Sequence, residues 1–391
     1  MTTEVNAAYE ASIDLTEVRE PLCREPGKVM CDGPGTISVG FAGRGALGAY
    51  ELGAARALYE NNHFNPDLIA GVSIGAITAV LLARPARGLK PLEALEAFWE
   101  KVTVPGLMLP PPLRRFASFF GNRNFFVPRL DYFDWPNWTH IYETAPLRDT
   151  LKELVDLDSL PDRTSAPAIL VSATDLEDGQ IRYFYSREDT LTVDHIVASG
   201  SLPPAFPMTL IENRSYWDGG LFDNTPLGAV LDKLDNAKGM QRTIYVVNLF
   251  PNKAPLPRNL LEVQERMKNI HFANKSSADL ETLRRLSEVA ELMEALESLP
   301  GGNPLKDDPT YEAVKKRDYI HVPRIVSITP PEPVSEIREY GDSDFSPDAI
   351  RMRAEQGYAQ TMKALRVIAE EHGGAHDRMG QSRVVTRGVR R

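Results

Sequence analysis

Apolar residues along the chain form short continuous runs, and between these runs lie stretches with apolar residues at helical spacing. The run 168–174 carries no charged side chain, so it suits the centre of a parallel sheet. The predicted strands are 36–42, 68–72, 168–174, 181–185, 243–249 and, at an edge, 319–329. The predicted helices are 51–60, 74–83, 91–102, 146–155, 192–198 and 347–372. Strands interspersed with helices predict an α/β fold.

Composition divides the chain into four parts. Residues 1–34 are polar and contain several prolines, which predicts an arm with little structure of its own. Residues 35–250 contain most of the predicted strands and form the expected α/β domain. Residues 251–375 are charged with apolar positions at helical spacing, so we expect a mostly helical region packed on that domain. Residues 376–391 form a basic tail.

Residues 103–140 interrupt the α/β pattern with six prolines and nine aromatic residues. Prolines exclude long regular elements, and so many aromatic side chains are not expected on a solvated loop. One interpretation is a small satellite core under a long loop. The other is a lid or wall around an apolar pocket for an acyl chain.

The net charge of −10 argues against nucleic acid as a partner, because a phosphate backbone would be repelled by most of the surface. The tail differs, since residues 378–391 contain five arginines and no acid. It is either a solvated, disordered tail or a weak tether to anionic lipid. The sequence leaves the oligomeric state open.

The only cysteines, Cys23 and Cys31, lie in the N-terminal arm and suit a reducing compartment. The first twenty residues are acidic and lack the apolar centre of a signal peptide. The longest apolar run, 68–83, is shorter than the roughly 20 residues that a membrane-spanning helix needs. We therefore expect a cytoplasmic protein, with peripheral contact to a membrane as a further option.

Ser73 stands at the centre of a G-x-S-x-G spacing formed with Gly71 and Gly75. It falls where a predicted strand must turn sharply into a predicted helix, and the flanking glycines remove side chains that would collide at such a turn. The same spacing also occurs in plain turns. We interpret Ser73 as the nucleophile of an acyl hydrolase.

The glycine-rich turn at 43–48 lies between a strand and a helix and fits the G-x-G-x-x-G spacing of dinucleotide sites. Such a site needs an acid at the end of the second strand, whereas Asp67 stands before the next apolar run and Ser73 stands after it. Backbone N–H groups in a glycine turn hold an oxyanion as readily as a phosphate. We therefore interpret the turn as an oxyanion hole.

Asp218 is followed by Gly219 and Gly220 at the end of a further predicted short strand. Asp-Gly-Gly on its own is often a simple turn. A serine nucleophile needs a base, and Asp218 can take the proton directly. A triad with histidine is the rival mechanism, and chain order makes His321 its best candidate ahead of His195, His271, His372 and His376.

Together these segments resemble the patatin-like acyl hydrolases. The resemblance covers about 35–250 and rests on G-A-L-G-A-Y (45–50), G-V-S-I-G-A (71–76), S-L-P-P-A-F-P (201–207) and W-D-G-G-L (217–221). It implies a three-layer α/β/α sandwich, a dyad of Ser73 and Asp218, and an oxyanion hole from the backbone of Gly43, Arg44 and Gly45. The chain departs from the family pattern at Arg44, where a glycine is common, and at Leu47, where arginine is common. A bacterial subgroup with leucine at that position is also similar beyond residue 250.

These features predict a phospholipase A or lysophospholipase that acts on lipid esters. Hydrolysis of another acyl ester, such as a polyester or thioester, would use the same dyad. Arg44 leaves a third hypothesis open, a non-catalytic regulatory module with the same fold. No metal-ligand cluster is visible in the sequence, so we expect neither a metal nor a cofactor.

Overall fold

The computed structural model describes residues 36–43, 45–60, 64–104, 120–157, 166–233, 242–250, 256–260, 295–315, 324–330 and 342–377, with scattered positions between 262 and 293. Its strands are β1 (Thr36–Phe41), β2 (Leu68–Gly71), β3 (Val127–Pro128), β4 (Tyr142–Glu143), β5 (Ala168–Asp175), β6 (Ile181–Tyr185), β7 (Thr209–Ile211), β8 (Arg214–Asp218), β9 (Arg242–Val247) and β10 (Arg324–Ile328). Its helices are α1 (Ala49–Glu60), α2 (Ile74–Ala83), α3 (Pro91–Val102), α4 (Ala145–Leu154), α5 (Val193–Ser199), α6 (Leu227–Lys233), α7 (Pro309–Lys315) and α8 (Pro347–Asp377).

Eight of the described strands form one mixed sheet in the order β10-β9-β1-β2-β5-β8-β7, and β6 also pairs with β5. The five strands from β10 to β5 run parallel, whereas β6, β7 and β8 add antiparallel pairs at one side. In the parallel part Phe41 lies opposite Gly71. The carboxyl ends of β1 and β2 therefore meet at one edge of the sheet, directly before the glycine-rich turn and Ser73.

Side chains of the central strands alternate between two hydrophobic cores, one on each face of the sheet. Ile69 and Val171 lie in the larger core with residues of α1, α2 and α3. Ala70 and Leu170 point the other way and pack against residues of α6. Helices therefore cover both faces of the sheet, and the predicted three-layer α/β/α sandwich is confirmed.

The predicted boundaries of α2 and α3 are confirmed to the residue, and those of β1 and β2 to within one residue. The first helix begins earlier than predicted, because a 3₁₀ turn over Gly45–Gly48 leads directly into α1 at Ala49. The last helix reaches Asp377 rather than His372. Among the described strands β10 pairs only with β9, at the edge of the sheet, as Pro323 suggested. The N-terminal arm and most of the basic tail lie outside the described residues.

The C-terminal region shares the larger core with the α/β domain. Val326 of β10 and Ile350 of α8 lie in the same cluster as Val39 of β1. Helix α8 packs against α1, and the Tyr358 hydroxyl donates to Glu60 Oε2 at 2.6 Å. The division of the chain at residue 250 stays a prediction, but β10 and α8 are built into the sheet and its covering layer.

Helices α1 and α8 approach closely at two glycines. A Cβ on Gly53 would overlap the carbonyl oxygen of Ala354, and a Cβ on Gly357 would overlap that of Tyr50. Backbones that touch in this way leave no room for a methyl group, so these glycines set the distance between the two helices.

We expect Gly53→Ala to lower the free energy of unfolding by about 1–3 kcal/mol, because the added methyl forces the two helices apart. Gly228→Ala in α6 is the matched control, since its Cβ would meet nothing within 4 Å. It should be neutral or stabilising by about 0.5–1 kcal/mol. Urea unfolding of both variants measures the difference, and equal stabilities would contradict the close packing of α1 on α8.

Candidate active site

Ser73 occupies a strained turn between β2 and α2. Its backbone has φ 55° and ψ −121°, a conformation that costs a non-glycine residue on the order of 1–3 kcal/mol. Hydrogen bonds on both sides hold the turn: Val72 N donates to Phe41 O at 3.2 Å, and Gly75 N donates to Val72 O at 2.8 Å. The Ser73 N–H donates to the Ser199 hydroxyl at 3.0 Å. The sheet, α2 and α5 together therefore fix the serine.

The glycines of the G-x-S-x-G spacing are required by close approach of the backbone. A Cβ on Gly71 would overlap the carbonyl oxygen of Gly75, the second residue of α2. A Cβ on Gly75 would overlap the carbonyl oxygen of Phe41 at the end of β1. Any side chain at either position would therefore push α2 away from the sheet and move Ser73.

Asp218 ends β8 opposite Ala173 of the central strand β5. Its N–H donates to Ser201 O at 3.0 Å, and the 3₁₀ turn Gly219–Leu221 follows it directly. Within that turn Gly220 N donates to Asp218 Oδ1 at 2.7 Å. Ser73 lines the same cavity as Asp218, and its hydroxyl lowers the pKa of the Asp218 carboxyl group. The fold thus brings together two residues that are far apart in the sequence.

The environment of Asp218 makes it an unusually weak acid. Burial raises its pKa from 3.8 to about 7, although hydrogen bonds from Ser73 and Gly220 act in the opposite direction. Removal from water disfavours the charged form, and here that effect exceeds the stabilisation by the two donors. A carboxyl group with a pKa near neutrality is suited to accept and return a proton at physiological pH.

The glycine-rich turn lies beside Ser73. A Cβ on Gly43 would overlap the Ser73 Cβ, so the turn and the serine are in direct contact. Gly45 has φ +42°, and its Cβ would lie 2.6 Å from Asp342 O. Both glycines line the same cavity as Ser73 and Asp218. Arg44 lies outside the described residues.

This cavity has a volume of about 430 Å³ and is mostly apolar away from Ser73. Its size is in the range of small-molecule sites. Its apolar walls come from six segments: Ile74 and Ile77, Phe125 and Phe126, Tyr142 and Leu147, Val197, Ala205 and Phe206, and Phe345. The site is therefore a half-buried serine and a buried carboxyl group in one mostly apolar pocket.

The aromatic insertion divides into two sets within its described part. Phe125 and Phe126 are buried and form ring contacts with Phe206 and Phe345, so they act as core and as cavity wall together. Other aromatic side chains of the insertion are exposed, among them Phe133. Residues 105–119 lie outside the described residues.

Comparison with known proteins agrees with this geometry. Residues 40–231 match the family model for patatin-like phospholipases. This part of the chain is a patatin-like phospholipase domain. The matched range of the patatin-like domain contains Ser73, Asp218 and the glycine-rich turn, and the family supports lipid acyl hydrolysis in the broad sense.

Two solved structures are similar to the chain. One is VipD from Legionella pneumophila, with 14% identity and a TM-score of 0.38 over 86% of this chain and 67% of that chain. The other is full-length SpcU in complex with full-length ExoU from the type III secretion system of Pseudomonas aeruginosa, with 20% identity and a TM-score of 0.27. This second alignment covers 73% of this chain and 61% of that chain. No curated protein matches the chain significantly.

The rival interpretations find no support in the described part of the patatin-like domain. Asp67 precedes β2, at the opposite end of that strand from Ser73, so it is not placed for a dinucleotide ribose. His195 is buried on α5, where it accepts from Thr192 N at 3.1 Å and packs edge-on against Phe184. It does not line the Ser73 cavity. Burial lowers the pKa of His195. His271 and His321 lie outside the described residues.

Sequence reasoning missed several residues of the site. Ser199 accepts a hydrogen bond from Ser73 N and lies just before the motif at 201–207. Sequence reasoning assigned it no role, because the contact with Ser73 forms only in the folded chain. Asp342, Ser343 and Phe345 line the cavity from just before α8. No sequence signal pointed to them, because they lie more than 200 residues after the serine motif.

Replacement of Asp218 by asparagine should stabilise the protein in a pH-dependent way. Because the folded pKa is above the unfolded value, the stability that Asp218 contributes is present below about pH 4 and lost as pH rises to about 7. At pH 8 the free energy of unfolding of Asp218→Asn should exceed that of wild type by up to about 4 kcal/mol, at 1.36 kcal/mol per pKa unit. The variant should therefore unfold at a higher urea concentration than wild type. Asp307→Asn, at an exposed position, is the control. If the gain in the free energy of unfolding of Asp218→Asn did not depend on pH, it would contradict a cost of burying the charged carboxylate.

Proposed function

We propose that the protein is a serine acyl hydrolase that cleaves ester-linked fatty acyl chains of phospholipids through a Ser73–Asp218 dyad. The observation that carries this proposal is that Ser73 and the buried Asp218 line one mostly apolar cavity together, beside the glycine-rich turn. Membership of residues 40–231 in the patatin-like phospholipase family supports it.

In the acylation half of the proposed reaction, Asp218 takes the proton of Ser73 as the Oγ atom attacks the ester carbonyl carbon. The carbonyl oxygen becomes an oxyanion, and the backbone N–H groups of Gly43, Arg44 and Gly45 donate to it. One such donor is worth about 10²- to 10³-fold in rate in a serine hydrolase. Collapse of the tetrahedral intermediate breaks the ester bond, and the leaving alcohol takes the proton from Asp218.

Deacylation repeats these steps with water as the nucleophile. Water gives its proton to Asp218 and attacks the acyl-enzyme carbonyl carbon. The Ser73 Oγ atom then leaves with that proton, and the fatty acid is released. The pKa of about 7 lets Asp218 serve as a base and then as an acid in each cycle. No histidine takes part in this scheme.

The substrate class follows from the walls of the cavity. Phe125, Phe126, Phe206 and Leu147 would surround an acyl chain whose ester carbonyl lies at Ser73. We infer a phospholipase A or lysophospholipase activity, with head group and acyl position left to assay. If Arg44 prevents the glycine turn from holding an oxyanion, the same fold would instead be a non-catalytic module.

An exposed aromatic surface stands next to the cavity. Within the 3₁₀ turn Tyr132–Asn137, Phe133 is 91% and Trp135 is 70% exposed, and nearby Leu130 is 77% exposed. The loop that carries them is bonded to the cavity wall, because Tyr142 N donates to Ala205 O at 2.9 Å. Tyr142 and Ala205 both line the cavity. The exposed aromatic side chains are thus carried by a loop whose far end, at Tyr142, lines the cavity.

We propose that this surface contacts the lipid from which the substrate is taken. Arg129 is paired with Asp131, and Asp134 adds a further negative charge, so the loop suits zwitterionic rather than anionic lipid. Among the described residues no helix is long and apolar enough to cross a bilayer. A peripheral and cytoplasmic location is our proposal, with the basic tail as a second contact.

Ser73→Ala should abolish hydrolysis of short-chain nitrophenyl esters and of mixed phospholipids, by at least about 10³-fold, because the nucleophile is removed. His321→Ala should keep activity within about twofold and is the matched control for a triad. Circular dichroism checks that both variants fold. Residual activity of Ser73→Ala near the wild-type level, or loss of activity in folded His321→Ala, would overturn the dyad.

Phe133→Asp combined with Trp135→Asp should reduce hydrolysis of phosphatidylcholine vesicles by roughly tenfold or more, because each buried aromatic contributes on the order of 2 kcal/mol to contact with the bilayer. Hydrolysis of a soluble nitrophenyl ester should not change, since neither side chain lines the cavity. Leu260→Asp, also highly exposed, is the control. Equal loss on both substrates would argue against lipid contact.

A further inference from the structure

A buried arginine of the C-terminal helix contacts the glycine-rich turn. Arg353 of α8 is only 2% exposed. Its Nη1 atom donates to Ala46 O at 3.0 Å and to Asp344 O at 2.8 Å. Ala46 directly follows Gly45 in the turn beside Ser73. The guanidinium group therefore joins the turn to the segment that precedes α8.

The segment that precedes α8 also binds the backbone N–H of Ala46. Ala46 N donates to Asp342 O at 2.8 Å, and Asp342 O lies 2.6 Å from the place that a Cβ on Gly45 would take. Both polar backbone groups of Ala46 are thus bonded to the C-terminal region. Asp342, Ser343 and Phe345 in turn line the cavity.

A cation buried in this way has a cost that its hydrogen bonds must offset. Here two carbonyl oxygens accept from one nitrogen of the guanidinium group, Ala46 O in the single 3₁₀ turn Gly45–Gly48 and Asp344 O in the irregular segment before α8. Segments this short lack the long ladder of backbone hydrogen bonds that fixes the direction of each peptide group in a longer helix or a sheet. A side-chain donor that binds the carbonyl of such a segment fixes the direction of its peptide group. This matters for catalysis, because misplacement of a catalytic hydrogen-bond donor by about 1 Å lowers the reaction rate.

We propose that Arg353 is a positioning residue for catalysis, which fixes the glycine-rich turn through Ala46 so that its backbone N–H groups face the substrate carbonyl. The C-terminal region is then a part of the catalytic apparatus and not an appendage to it. This inference rests on the proposed hydrolase function, and it concerns the stabilisation of the oxyanion rather than the nucleophile.

The test compares Arg353→Met and Arg353→Lys with wild type in steady-state hydrolysis of a soluble nitrophenyl ester. We expect kcat to fall by about 10- to 100-fold in Arg353→Met, with KM changed by less than about twofold, because only transition-state contacts are misaligned. Arg353→Lys keeps the buried charge and one donor, so it should recover part of the loss. A trifluoromethyl ketone, which forms a tetrahedral adduct on the serine, should lose affinity in proportion to kcat/KM.

Thr361→Val is the matched control, because Thr361 is a buried polar residue of the same helix whose hydroxyl donates only to Gly357 O. It should leave kcat, KM and ketone affinity unchanged. Thermal unfolding identifies variants that do not fold, and Arg353→Lys carries the test if Arg353→Met is one of them.

Folded Arg353 variants with wild-type kcat and ketone affinity would overturn the positioning role while leaving the hydrolase intact. A loss in the Arg353 variants that Thr361→Val shares would also overturn it, since both would then act through helix stability. If wild type and Ser73→Ala are equally inactive on every ester, the failure belongs to the proposed function instead.

Discussion

The strained backbone at Ser73 is the constraint on which the rest of the site depends. A non-glycine residue with φ 55° persists only where its neighbours allow no relaxed alternative. Here β2 and α2 meet at an angle that only Gly71 and Gly75 permit, and Phe41 O and the Ser199 hydroxyl bind the turn from β1 and α5. The serine side chain is thereby held over the carboxyl ends of the strands, where β8 also delivers Asp218. The parallel sheet therefore supplies the geometry, and the antiparallel β8 supplies the carboxyl group that we propose as the base.

Desolvation is the second determinant of the site. Asp218 has a hydroxyl and a backbone donor within reach, yet burial still raises its pKa to about 7. The carboxyl group lines the same cavity as Phe125, Phe126, Phe206 and Phe345, whose apolar side chains would surround an acyl chain. One cavity therefore holds both the desolvated carboxyl group and the space proposed for the substrate.

Local patterns in the sequence were sufficient for the central strands, for the helices next to the serine and for the turn that carries it. The apolar runs at 68–72 and 168–174 predicted central strands because both faces of these strands are buried, and Gly71, Ser73 and Gly75 mark a turn whose geometry depends on neighbours in the chain. Contacts between distant segments were not predictable in this way. Nothing in the sequence near Arg353 indicates that its side chain lies against Ala46. Both the exposed and the buried aromatic residues of the insertion include phenylalanine, so residue type alone does not separate the two sets. Of the paired strands β7 and β8, only β8 was predicted. β7 was missed because it has three residues and no clear alternation of apolar and polar positions.

The most direct test of the account is whether Ser73 reacts as an activated nucleophile. Intact mass spectrometry of the folded full-length protein after treatment with a fluorophosphonate, followed by peptide mapping, measures this without knowledge of the natural substrate. The account predicts a single adduct on Ser73 that forms in wild type and is absent in Ser73→Ala. Folded wild-type protein that acquires no adduct, or acquires it on another residue, would contradict it.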